Sequence, residues 1–157
     1  MNAPGSPPAP AAFTPADPQF ESRCRASFGR QKAMRLIGAT IRSLGPGSCE
    51  VALPYRDDLT QQKGFVHGGV VGMIADSACG YAAYSLMPAT SSLVTVEYKI
   101  NIVAPAKNRG TLVASGLVLK PGRTLTLARA DVHEDGRLVA VMQQTLMQLP
   151  DTPDTAD

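Results

Sequence analysis

The sequence predicts an α+β domain in which an antiparallel sheet wraps around one long central helix. Three observations lead there. The longest apolar run of the chain, VVGMIADSACGYAAYSLM, opens on His67-Gly68-Gly69 and is closed by Pro88. Four segments of strand character follow it, joined by Gly- and Pro-containing turns. The regular α/β alternation that builds a parallel sheet is absent.

Residues 1–18 hold prolines at positions 4, 7, 8, 10, 15 and 18 and lack the basic and apolar regions of a secretory signal, so a disordered Pro/Ala-rich tail is expected there. Residues 150–157, PDTPDTAD, are expected to form a second such tail, leaving one domain over 19–149. From Gln19 to Phe28, the residues Phe20, Cys24 and Phe28 recur every four positions and predict a short amphipathic helix. Met34 to Leu44 and Ser48 to Leu53, around Gly45-Pro46-Gly47, predict a strand pair with a tight turn, and Pro54 closes the second strand.

The apolar run predicts one helix from Gly69 to Met87. Its length approaches a membrane span, but Asp76 at its centre and glycines at 68, 69, 72 and 80 argue against one. Apolar residues on nearly every side mark a helix surrounded by protein, and the small residues Gly72, Ala75, Cys79, Gly80 and Ala83 are expected to let other backbone approach. Strands are then expected over Ser92 to Val103, Gly110 to Lys120, Thr124 to Glu134 and Arg137 to Leu149. In the first of these, Val94, Val96, Tyr98, Ile100 and Ile102 alternate with Thr95, Glu97, Lys99 and Asn101, predicting that the apolar set faces the core.

Composition excludes several classes of function. Fifteen Lys and Arg against thirteen Asp and Glu, scattered rather than clustered, leave no footprint for a nucleic-acid backbone. Cys24, Cys49 and Cys79 are odd in number and form no C-x-x-C pair, so they read as reduced thiols in a cytoplasm, not as a disulfide framework or zinc site. The nucleophile elbow, P-loop and dinucleotide-binding glycine motifs are all missing, and two histidines cannot build a His-rich metal site.

Asp76 demands an explanation, because a carboxylate inside an apolar helix costs free energy unless it is paired. It is either a hydrogen-bonded structural residue or a general base or nucleophile in a cleft. His67-Gly68-Gly69 stands where the helix begins, and its free N–H groups form either plain turn chemistry or a site for a polarised carbonyl. Nine residues separate His67 from Asp76, about 13 Å along the axis, so one helix cannot bring both to one atom. A two-fold partner with an antiparallel helix could.

Taken together, Gln61-x-x-Gly64-x-x-His67-Gly68-Gly69, Asp76 in a small-residue helix, Val94-Thr95-Val96-Glu97 and the Pro105 turn resemble the hotdog-fold acyl-CoA thioesterases of the phenylacetate-degradation (PaaI) type, from about Met34 to Leu149. The resemblance implies the hotdog fold, a homodimer or homotetramer with sites at subunit interfaces, an aryl- or medium-chain acyl-CoA substrate, and no metal or cofactor. It also assigns roles. Asp76 matches the acidic nucleophile or general base, acting in the partner's site, and Gly68 the residue whose N–H polarises the thioester carbonyl. Gln61 matches an amide that places substrate or water, Thr95 a hydroxyl that holds the attacking water, and His67 a residue that orients the loop. Gly80 lacks the hydroxyl that a related branch carries one turn after the acid.

CoA phosphates require anchors, and Arg123, Lys120, Arg109, Lys107 and Arg137 stand at expected strand ends and turns, Arg123 being the first choice. Phe65, Met73, Tyr81, Tyr84, Leu86 and Met87 are available either to an acyl tunnel or to plain core. Two alternatives stand beside this reading: a non-catalytic acyl-CoA-binding hotdog protein, which has no use for a costly carboxylate, and a hotdog hydratase.

Overall fold

The computed structural model describes residues 13–107 and 109–154. In chain order these form α1 (Phe20–Arg30), α2 (Lys32–Ile37), β1 (Thr40–Gly45), β2 (Ser48–Pro54), a 3-10 turn (Asp57–Leu59), α3 (Gly68–Tyr84), β3 (Ser92–Ile102), β4 (Thr111–Lys120), β5 (Leu125–Glu134) and β6 (Arg137–Leu149). The six strands make one antiparallel sheet in the order β1-β2-β4-β5-β6-β3. Helix α3 lies across it and packs on β2, β4 and β5, as the hotdog architecture requires. Among the described residues no helix is long and apolar enough to cross a membrane.

Of the expected tails, residues 1–12 and 155–157 lie outside the described residues. The stretch from Phe13 to Pro18, expected to belong to the N-terminal tail, packs on the domain. Phe13 stands over Gly47, and buried Asp17 accepts from the Gln19 N–H at 2.9 Å and pairs with Arg23 at 2.7 Å. At the other end Asp154 hydrogen-bonds Ser27 and Arg30 on α1.

The strand expected from Met34 begins instead as helix α2. Met34 and Ile37, three residues apart, bury the same face of a short helix, which Gly38 ends in the left-handed region at φ 79°. Strand β1 then starts at Thr40.

Helix α3 starts at Gly68 and ends at Tyr84, one residue earlier at the front and three earlier at the back than its sequence pattern suggests. Its last turn tightens through the i→i+3 bonds Leu86 N to Ala83 O and Met87 N to Tyr84 O. The closest backbone approach comes from the sheet. A Cβ on Gly116 of β4 would strike the Ala78 carbonyl, whereas Gly72 and Gly80 face open space. Gly116 therefore sets how near the sheet comes to the helix. Around that contact Val51, Leu53, Ile74, Leu112, Val132 and Leu146 form the fully buried core.

Strand β3 departs most from expectation. It forms the sheet edge, and Val94, Val96, Tyr98 and Ile102 are exposed. Its pairing with β6 shifts register between Thr95 and Glu97, so Val96 is a bulge. Thr95 pairs with Leu146 and Tyr98 with Gln144, and directly paired residues share a face. Thr95 therefore lies on the helix side of the sheet with Tyr98, Ile100 and Ile102, while Val94, paired with Met147, lies on the outer side.

Candidate active site

Helix α3 carries two of the chemical groups. At its start His67 is the N-cap, and its Nδ1 accepts the Gly69 N–H at 2.9 Å. That bond makes Nδ1 the unprotonated ring nitrogen and leaves the proton on Nε2. The His67 carbonyl takes the Val70 and Val71 N–H groups at 2.9 and 3.2 Å. The Gly68 N–H has no partner among the described residues and is a free donor at the positive end of the helix. A Cβ at Gly68 would stand 2.8 Å from Ile102 Cδ1, so glycine also admits the β3 side chain here.

Two turns further on, half-buried Asp76 faces β3 and β6. Thr95 Oγ1 donates to its Oδ1 at 2.8 Å, and Gln144 Nε2 donates to the same oxygen at 2.5 Å. Gln144 Nε2 also stands 2.8 Å from Thr95 Oγ1, closing a triangle. Gln144 is 0% exposed.

A cavity of about 590 Å³ opens beside this triangle. Asp76, Gly80, Tyr84, Leu93 and Thr95 line it, and its far end is polar. There Tyr81 Oη lies 3.0 Å from Ser27 Oγ and receives Gln31 Nε2 at 3.2 Å, while Ser27 donates to Asp154. Burial above all pushes the Tyr81 phenol up to about 12. Of the apolar residues offered by the sequence for a tunnel, Tyr81 and Tyr84 line this cavity; Met87 is core and Met73 is on the surface.

The remaining site residues are dispersed. Gln61 lies on the loop before His67, where its Oε1 accepts the Lys63 N–H at 2.5 Å, and no hydrogen bond joins it to Asp76. Lys107 and Arg109 stand on the loop whose Ala106 carbonyl receives the Val66 N–H at 3.0 Å, next to the α3 start. Arg137 is engaged by the Pro105 carbonyl at 2.6 Å and by Glu134, 1% exposed, at 3.0 Å. Lys120 and Arg123 stand at the β4–β5 connection, the opposite end of that hairpin from Arg109.

The three cysteines are buried and free. Burial above all pushes Cys24 and Cys49 up to about 12, and Cys79 rises too, by burial first and the Asp76 charge second.

Residues 63–141, half of the chain, match the family model of the thioesterase superfamily. This chain belongs to the thioesterase superfamily. A thioesterase family protein from Silicibacter pomeroyi is 46% identical, with a TM-score of 0.79, covering 83% of this chain and 98% of that one. Human acyl-coenzyme A thioesterase 13 is 27% identical over 71% of this chain and 81% of its own length. The E. coli PaaI protein from the phenylacetic acid degradation operon, at 19% identity, shares the fold with a TM-score of 0.80 over 86% of this chain and 96% of that one. The thioesterase is thus a thioester hydrolase of hotdog fold, PaaI-like in architecture. The matched segment holds His67, Gly68, Asp76 and Thr95 of the thioesterase; Gln61 and Gln144 fall just outside it.

Gln144 is the residue that sequence reasoning missed. Along β6 the core-facing row reads Ala140, Met142, Gln144, Leu146, and one amide in an apolar row was the available signal.

Proposed function

We propose that the protein hydrolyses aryl- or medium-chain acyl-CoA, with Asp76 of one subunit acting on a thioester whose carbonyl is held by the Gly68 N–H of a partner subunit. The observation that carries this reading is the pairing on one helix of a free N–H at its start with an anchored carboxylate at its middle. Eight residues separate Gly68 from Asp76, about 12 Å along the axis, too far for one thioester carbon to touch both. A second copy supplies the missing half.

Strand β3 supports that assembly. It is a sheet edge with unpaired backbone groups, and Val96 and Tyr98 on it are 53% and 48% exposed. Such an edge favours pairing with a second strand, and pairing with its own copy satisfies both the backbone and the apolar side chains. A homodimer follows, and two such dimers form a tetramer by any further self-complementary face.

In the reaction, water attacks the thioester carbon and gives its proton to Asp76. Negative charge gathers on the carbonyl oxygen at the Gly68 N–H and the positive end of α3, the C–S bond breaks, and CoA leaves as a thiolate. Thr95 and His67 hold the carboxylate and the helix start in place, and Gln61 orders the loop leading to them.

The acyl group occupies the cavity over Gly80, where nothing lies within 4 Å of a Cβ position. The polar far end at Tyr81, Ser27 and Asp154 limits its length, in keeping with an aryl or medium-chain group. Lys107 and Arg109, beside the α3 start, meet the CoA phosphates; Arg137 holds its own hairpin, and Arg123 and Lys120 stand farther off. Three unpaired cysteines fit a cytoplasmic setting.

The test is release of free CoA from a panel of aryl-, short-, medium- and long-chain acyl-CoAs by wild type and Asp76→Asn. The variant folds and loses about 10²–10⁴ in kcat. A variant that keeps near wild-type turnover sinks the assignment of Asp76, and a wild type idle on the whole panel leaves the binding-protein reading.

A further inference from the structure

We infer that Gln144 is a positioning residue that holds the Asp76 carboxylate by one oxygen, Oδ1, and so makes Oδ2 the oxygen that meets the reacting groups. The inference rests on the function proposed for Asp76 and extends it to a residue on a different strand.

Three facts carry it. First, both side-chain donors at the carboxylate converge on Oδ1, at 2.8 Å from Thr95 and 2.5 Å from Gln144, and Oδ2 has no partner among the described residues. A carboxylate fixed through one oxygen loses its rotation and keeps the other oxygen's lone pairs free for a proton. Second, Gln144 has no competing structural task. Its side-chain hydrogen bonds go to Asp76 and Thr95, and its own Oε1 is buried without a partner among the described residues. An apolar residue in the row of Ala140, Met142 and Leu146 would avoid that unsatisfied oxygen, so the amide is retained at a cost to folding. Third, Gln144 is 0% exposed and is absent from the cavity lining, so it acts through Asp76 and not on substrate.

An amide is the group that suits the place. It donates without charge, whereas a glutamate there would set one carboxylate against another. The same contact fixes Thr95. Its proton goes to Asp76 and one lone pair faces the Gln144 N–H, so Thr95 serves first as an anchor of the carboxylate.

The experiment substitutes Gln144→Met, which keeps length and flexibility while removing both the donor and the unsatisfied carbonyl. Turnover of the best acyl-CoA is expected to fall about 10- to 100-fold in kcat, with KM within about twofold and the melting temperature unchanged or raised. In an Asp76→Asn background the same change is expected to cost nothing more, because its effect runs through the carboxylate. A kcat within twofold of wild type, or an equal loss with and without Asp76, overturns the inference. The crystal structure of Gln144→Met gives a reading independent of turnover. A carboxylate that rotates or splits into two conformers supports the clamp even if no acyl-CoA is hydrolysed and the functional proposal falls, and an unmoved carboxylate removes it.

Discussion

Thr95 reaches Asp76 across 2.8 Å because β3 carries one extra residue, Val96, just after it. The bulge lets Thr95 share the helix-facing side with Tyr98, Ile100 and Ile102, from which strict alternation would separate it. Thr95→Val keeps the shape and removes the hydroxyl. It is expected to lower kcat about tenfold to a hundredfold, as loss of a hydrogen bond to a charged group does, while Thr95→Ser stays within a few-fold. Steady-state CoA release on the pair decides it; equal rates in Thr95→Val and wild type would discard the hydroxyl.

Gly68 offers an unusually clean removal of one backbone donor. Proline suits the first helical position, His67 already has the extended ψ of 134° that a residue before proline adopts, and the nearest obstacle is the tip of the Ile102 side chain. Gly68→Pro is expected to keep the helix and lose about 10²–10³ in kcat. Mixed with Asp76→Asn under conditions that exchange subunits, it is expected to recover about a quarter of wild-type activity, since half the dimers then carry one intact site. No recovery despite demonstrated exchange would place both groups in a single subunit.

At Gly80 the expected effects on stability and on specificity separate. A Cβ there meets nothing within 4 Å, so Gly80→Ala is expected to stabilise the protein by ~0.5–1 kcal/mol through helix propensity. Gly80→Leu projects into the cavity beside Asp76 and is expected to cut kcat/KM for aryl and medium-chain substrates about tenfold or more while sparing acetyl-CoA. A uniform loss across chain lengths would move the acyl group elsewhere.

The buried thiols set an alkaline limit. Cys24 and Cys49 ionise at 9.0 in the ordinary case and at about 12 in the folded chain. Above 9.0 the unfolded chain releases protons that the folded chain retains, so their contribution is complete below about pH 9 and is lost as pH rises toward 12. Urea midpoints are expected to stay level to about pH 8.5 and then fall. Cys49→Ala should flatten that fall, and a wild-type midpoint unchanged at pH 10.5 would contradict it. The same burial keeps thiol reagents off the folded protein, so CoA-release assays read CoA alone.

Much of this architecture was legible along the chain. The long helix declared itself through the long, largely apolar run between His67 and Pro88, and β4, β5 and β6 through alternation between good turns. Asp76 and Gly68 stood out for reasons internal to that helix. Helix α2 was hidden because Met34 and Ile37 suit either a short helix or a strand, and Gly38 decides between them only through its backbone angle. The facing of Thr95 was hidden for a different reason. A bulge is a property of two strands in register, and nothing within Ser92–Ile102 alone announces where β6 will pair. Gln144 combined both problems, since an amide among apolar residues acquires meaning only when the partner helix places a carboxylate above it.

The contact between Gly116 and the Ala78 carbonyl also bears on how this chain can change over generations. The height of Asp76 above the sheet is governed there by main chain resting on main chain, whatever side chains fill the space around it. Substitutions among Val51, Ile74 and Val132 can accumulate and compensate one another while the carboxylate keeps its reach to β3 and β6. Relatives can therefore drift far apart in their cores and still preserve the same working distance, provided that the glycine at this point of β4 survives.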